Sequence, residues 1–206
     1  MKGRCRPPAA PGRRGGSAGS SLLEVVAGAA VAAIVGAAAV PPLAAQRDEI
    51  HAAGAARHMA SLVRLARAES LRRGVHAAVA FQPSGQDYRF AIFADGNYDG
   101  VRTADIGAGI DRQVSSWARI GDQFPRAAFG IVPGVPDPDS GTRLTGSPVK
   151  LGGSNLLSFG PDGGATSGTL YLRGPAGQQY AVRILGATGR SRLLRFDFGA
   201  GRWESP

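Results

Sequence analysis

The sequence predicts an α+β protein in which a long N-terminal α-helix packs on a C-terminal antiparallel β body. Three observations predict it. Residues 20–73 read as helix, and beyond Gly74 the apolar period drops to two. Glycine and proline (31 and 14 of 206 residues) argue against a mostly helical body. Apolar residues make up 43% of the chain, enough to bury a core in a domain of this size. The single cysteine excludes an internal disulfide framework and a cysteine-rich metal site.

Residues 1–19 carry Lys2, Arg4, Arg6, Arg13 and Arg14 and no acid, in a Gly, Pro, Ala and Ser background that cannot build a core. The apolar run 22–40 follows, with one charge, Glu24. As a helix it would be about 28 Å long, close to the hydrocarbon core of a bilayer. Positive charges ahead of it predict that residues 1–19 stay cytoplasmic and the rest is exported. An ordinary secretory signal cut near Ala45 is the alternative, but it leaves Glu24 unexplained. A carboxylate in such a run needs a cation. Gly28, Ala32 and Gly36 recur every four residues and offer a smooth stripe for close helix approach. Pro41 and Pro42 remove two backbone donors and predict a kink or local melting.

Residues 43–73 continue in helical style, with Met59, Leu62, Ala66 and Leu71 near one face. Arg57, Arg64, Arg67, Arg72 and Arg73 read as a solvated basic set on other faces. Two arginines followed by Gly74 predict the helix end. From 20 to 73 the helix would run about 80 Å if continuous, a spine rather than a core helix.

Strands are predicted over 75–82 and 88–94, joined by the Pro83-Ser84-Gly85 turn. Further strands fall at 124–131, 156–159, 169–173, 180–185 and 193–198. Pro161-Asp162-Gly163-Gly164, Gly174-Pro175 and the stretch 186–189 punctuate them. Residues 133–148, with Pro133, Pro136, Pro138 and Pro148, read as a long surface loop. Seven short strands predict an antiparallel sandwich or two small sheets. Tyr171, Tyr180, Phe196 and Phe198 read as strand-core residues.

The segment Gly19-Ser20-Ser21-Leu22-Leu23-Glu24 resembles the class III, or prepilin, signal. That resemblance implies cleavage between Gly19 and Ser20 by a prepilin peptidase and methylation of the new N-terminus at Ser20. It also implies assembly through Glu24, which would pair with the N-terminal amine of a neighbouring subunit, and Pro41 falls where pilins often carry proline. Ser20 departs from the phenylalanine most members have there. Two body segments, Leu65-Ala66-Arg67-Ala68-Glu69-Ser70-Leu71-Arg72-Arg73-Gly74-Val75 and Phe159-Gly160-Pro161-Asp162-Gly163 with Gly168-Thr169-Leu170, resemble the GspH/FimT family of pseudopilins and minor pilins.

The resemblance implies a pilin-like fold: a leader at 1–19, a membrane and filament-core helix at 20–42, a periplasmic half-helix at 43–74 and a β domain of two small sheets at 75–206. It implies a structural subunit and not an enzyme, with no cofactor. Its partners would be other pseudopilins or minor pilins, prepilin peptidase and the inner membrane, with the C-terminal domain in the periplasm.

Asp95-Gly96-Asn97-Tyr98-Asp99-Gly100 has the alternating oxygens of a calcium loop, with Asp95, Asn97 and Asp99 as ligands. The closing glutamate is replaced by Ile106, and Asp105 is one place early. An acidic hairpin turn held by Asx bonds is the competing reading. Gly15-Gly16-Ser17-Ala18-Gly19 matches a nucleophile elbow in form only, since no strand precedes it. His51, His58 and His76 show no metal spacing, and Cys5 lies in the leader.

Gly189-Arg190-Ser191-Arg192, with Arg183 before and Arg195 after, is a basic strand end. Arg190 and Arg192 alternate and so share a face, and paired guanidinium groups suit phosphate. A G-R-x-R element here also resembles the DNA-contact motif of FimT-type minor pilins used in natural transformation. A solvated strand end, or ion pairs to Asp197 or Glu204, is the plain alternative. Two functions therefore compete: assembly in a type II secretion pseudopilus or type IV pilus, and DNA binding.

The net charge of +9 would by itself suggest an anionic partner. Five of those charges lie in residues 1–19, and without them 19 basic residues face 15 acidic ones. Most of the charge is thus a topology signal.

Overall fold

The computed structural model describes residues 21–206, with side chains at all of these but 35–44. Residues up to Pro42 and residues Leu43–Pro206 form two separate units. Helix α1 is assigned over Leu22–Arg73, and Pro41 and Pro42, where the sequence predicts a kink or melting, fall within the assigned range.

Among the described side chains of the first unit, residues 21–34, the large apolar ones are exposed and spread around the helix. Leu22 is 84% and Ile34 70% accessible, and Leu23, Val25, Val26 and Val31 are exposed between them. Among the described residues no helix is long and apolar enough to cross a membrane; the later part of the run predicted to do so, residues 35–40, lies outside the described side chains.

In the second unit α1 turns an alanine face inward. Ala52, Ala55, Ala56, Met59, Val63 and Ala66 are buried, and Ser70 donates its hydroxyl to the Phe159 carbonyl at 3.1 Å. Small side chains let the helix backbone approach the sheets closely. Gly54 goes further: a Cβ there would stand 2.6 Å from the Phe124 ring. Leu71, expected on this face, is exposed, and Leu62 is half-buried. Glu69 binds both Arg72, at 2.9 Å, and Arg73, fixing the last turn. Gly74 then takes φ 68°, the left-handed conformation that ends a helix.

The body has two antiparallel sheets. In chain order its elements are β1 (Ala77–Ser84), β2 (Asp87–Ala94), α2 (Thr103–Ala108), β3 (Arg112–Gln113), β4 (Ala118–Arg119), α3 (Ile120–Gln123), β5 (Ala128–Phe129), β6 (Val149–Lys150), β7 (Leu156–Phe159), β8 (Gly168–Arg173), β9 (Gln179–Leu185), β10 (Arg190–Asp197) and β11 (Arg202–Glu204). One sheet runs β3-β2-β1-β7, with β4 also on β2, and the other β11-β10-β9-β8-β5, with β6 also on β8. The main core lies between the inner faces of both sheets and the alanine face of α1.

Four features differ from the sequence reading. The strand expected at 124–131 shrinks to Ala128–Phe129, whose Phe129 amide is held by Asp87 Oδ1 at 3.0 Å. Strands β1 and β2 are buried on both faces: Val79 and Phe81 face the main core, while Ala78, Ala80 and Phe93 pack with Val101, Ile106 and Trp117. The loop 133–148 is not free surface, because Val135 and Leu144 pack on Tyr171, Ala181 and Phe196. Phe198 is 53% exposed, although Tyr171, Tyr180 and Phe196 are buried as expected.

Candidate functional site

Three sets of residues carried functional expectations. In the first, Gly19 and Ser20 lie outside the described residues, as does the side chain of Pro41. Glu24 sits in the first turn of α1, exposed. A carboxylate there is favoured by the partial positive charge of the helix N-terminus. The Ser21 hydroxyl accepts the Glu24 amide at 3.3 Å. Ser21-Leu22-Leu23-Glu24 is thus also a helix-start pattern, serine three residues before glutamate, and the sequence reading missed this second role. No ion pair of Glu24 is formed among the described residues.

The second set, Asp95, Asn97 and Asp99, forms a turn held by backbone donors. Asp95 Oδ1 accepts the amides of Asn97 and Tyr98 at 3.1 and 2.8 Å, and Oδ2 accepts that of Gly100 at 2.8 Å. Asp99 pairs instead with Arg102 at 2.8 Å. Buried Asp111 takes the Gly96 and Arg102 amides at 3.2 and 2.9 Å. The carboxylates expected as ligands therefore serve amides and a guanidinium. Among the described residues no group of three or more His, Cys, Asp or Glu is arranged to hold a metal ion.

The third set is split by the β period. Arg192 stands opposite Arg183 in the β10–β9 register, on the outer face of the six-stranded sheet with Ala181 and Leu194. Like charges directly opposite repel. Asp139, from the 133–148 loop, relieves this by pairing with Arg183. Arg195 has the other parity and faces α1, where its Nε lies 3.5 Å from Glu49 Oε1. The same oxygen accepts the Tyr180 hydroxyl at 2.6 Å. Burial and that bond to Glu49 push the Tyr180 phenol up to about 12. Of the four arginines, Arg190 and Arg192 are exposed and form no ion pair among the described residues. Asp197 and Glu204 do not pair with them: Asp197 accepts the Gly199 and Ala200 amides, and Glu204 binds Arg202.

Sequence reasoning missed Asp137. Its Oδ1 accepts the amides of Asp139 and Ser140, and its Oδ2 accepts the Tyr171 hydroxyl at 3.1 Å. Lys150 stands 3.9 Å away. Burial alone would raise this carboxyl, but these donors and the ammonium outweigh it and hold it below the ordinary aspartate value. Burial and Asp137 in turn raise the Tyr171 phenol. With Trp203 Nε1 donating to the Pro136 carbonyl at 2.8 Å, these bonds clamp the loop to the outer sheet face. Asp137-Pro138-Asp139-Ser140, an aspartate-proline turn pattern in a proline-rich loop, was the available signal.

Residues 55–189, more than half of the chain, match the family model for the type II transport protein GspH. The chain belongs to the GspH family. No curated protein and no solved structure matches it. The GspH match covers α1 from Ala55 onward and the body as far as the turn before β10, so Arg190, Arg192 and Arg195 fall just beyond it. GspH proteins are structural pseudopilins and not enzymes. Their partners are other pseudopilins, and their place is with the pseudopilus of the cell envelope.

Proposed function

We propose that this GspH chain is a minor pseudopilin, or minor pilin, that assembles through residues 20–42. The observation that supports this is the start of α1, residues 22–34, whose described apolar side chains are exposed around most of its circumference with one carboxylate, Glu24, in its first turn. A helix apolar all round is stable when surrounded by apolar partners. Helices of neighbouring pseudopilins supply them, and an N-terminal amine freed at Ser20 supplies the cation for Glu24. The leader 1–19 stays on the cytoplasmic side of the inner membrane, prepilin peptidase removes it, and the β body faces the periplasm. Co-expression with a prepilin peptidase is expected to shorten the chain by the 19 leader residues. Gly19→Glu abolishes that cleavage, and Glu24→Ala leaves cleavage intact but abolishes co-purification with partner pseudopilins. Processing near Ala45 would refute the reading.

DNA binding is the competing function, and it rests on Arg190 and Arg192 alone, since Arg183 and Arg195 are engaged by Asp139 and Glu49. A salt-dependent gel shift lost in Arg190→Ala/Arg192→Ala would favour it.

A further inference from the structure

A cleft of about 330 Å³ opens between α1 and the β9–β10 turn, lined by Arg64, Arg67, Leu71, Gly189, Arg190 and Ser191. Its three arginines form no ion pair among the described residues. Arg64 bonds only the Ser61 hydroxyl, at 3.0 Å. The Nε of Arg67 is buried without a hydrogen-bond partner. A buried N–H of a charged group without an acceptor is costly. Gly189 makes room for this arginine: its φ is 60°, and a Cβ on it would stand 2.9 Å from Arg67 Nε and 2.7 Å from the Gly163 carbonyl. The nearest turn carries Asp162, whose Oδ1 accepts the Gly164 amide at 3.0 Å. Leu71, 47% exposed, gives the cleft an apolar wall.

We propose that this cleft is a docking site for an acidic segment of a partner pseudopilin. A carboxylate of that segment is held by Arg67 and flanked by Arg64 and Arg190, while an adjacent aliphatic side chain lies on Leu71. Charge complementarity selects an acidic occupant, and the exposed leucine selects a protein segment over a bare anion. A nucleic acid needs a continuous basic track. Here the track goes no further than Arg192: Arg183 is occupied by Asp139, Lys150 stands near Asp137, and Arg195 is engaged by Glu49. This inference rests on the assembly reading above.

The test uses the full chain in detergent and a short fluorescein-labelled peptide of alternating glutamate and leucine. The expected result is salt-sensitive binding that weakens by roughly tenfold or more in Arg64→Glu/Arg190→Glu, the loss of one charge-assisted contact. Arg112→Glu, on β3, should bind as wild type. A glutamine-leucine peptide should not bind. An unchanged melting temperature of the double variant shows that its fold is intact. The proposal is overturned if the acidic peptide does not bind, if the double variant binds it equally well, or if a single-stranded oligonucleotide binds the cleft more tightly than the peptide. Failure of peptide binding while partner pseudopilins still co-purify would sink the cleft assignment alone.

Discussion

Tyr180 donates its hydroxyl to Glu49 at 2.6 Å, joining β9 to α1 across 131 residues of sequence. Arg195 approaches the same carboxylate from β10 at 3.5 Å. The helix is thus fixed to the six-stranded sheet by a polar contact as well as by its alanine face. Tyr180→Phe keeps the ring and removes the donor, and is expected to cost about 1–2 kcal/mol in chemical denaturation at neutral pH. The contribution has a defined pH window. The folded phenol, at about 12, lies above the ordinary value of about 10. The bond's stabilisation is therefore whole below pH about 10 and is lost as pH rises through about 12. The gap between wild type and Tyr180→Phe should close over that range.

Asp137 titrates in the opposite sense. Its folded value lies below the ordinary one of about 3.9, so its contribution is whole above that pH and disappears as pH falls through the folded value. Asp137→Ala is expected to cost about 2–3 kcal/mol at pH 7, because it strands the Tyr171 hydroxyl and two loop amides. Thermal melts of both proteins should converge in acid.

Gln179 is fully buried. Its Oε1 accepts the Val132 amide at 2.6 Å, and its Nε2 donates to the carbonyls of Gly130, Leu172 and Tyr180. Gln179→Leu fills the volume but abandons all of these, and should lower stability by about 2–3 kcal/mol. Hydrogen exchange should rise at Val132 first.

The Asp95 turn gives a test of the calcium reading. Asp95→Ala removes the acceptors of three amides and should destabilise the chain by about 1–3 kcal/mol. Millimolar calcium should leave the melting temperature of wild type unmoved. A calcium-dependent rise that is absent in Asp95→Ala would restore a metal site.

The sequence by itself determined the features written in local patterns. The helix end at Gly74 follows from a glycine that tolerates φ 68°, and the β1–β2 hairpin from a turn between alternating runs. Strand β7 has the bounds its apolar run predicts. The order of helix and strands needs no knowledge of what packs on what. Periodicity reports one covered face at a time, so it could not show that 95–119 covers the far side of β1 and β2. Two-residue strands such as β3 and β6 carry no period and arise from their neighbours' open amides.

The candidate site divides along the same line. The Gly189–Arg192 stretch was legible as a basic turn. Its surroundings were not, because Asp139 reaches Arg183 and Glu49 reaches Arg195 only after the chain has folded back on itself. The two-residue period put Arg190 and Arg192 on one face, but the register across β9 and β10 decided which cations were neutralised. Arg67 reads in the sequence as one more solvated helix arginine. Tertiary packing buried its Nε beneath Gly189, where the missing Cβ leaves its volume free for another segment's side chain.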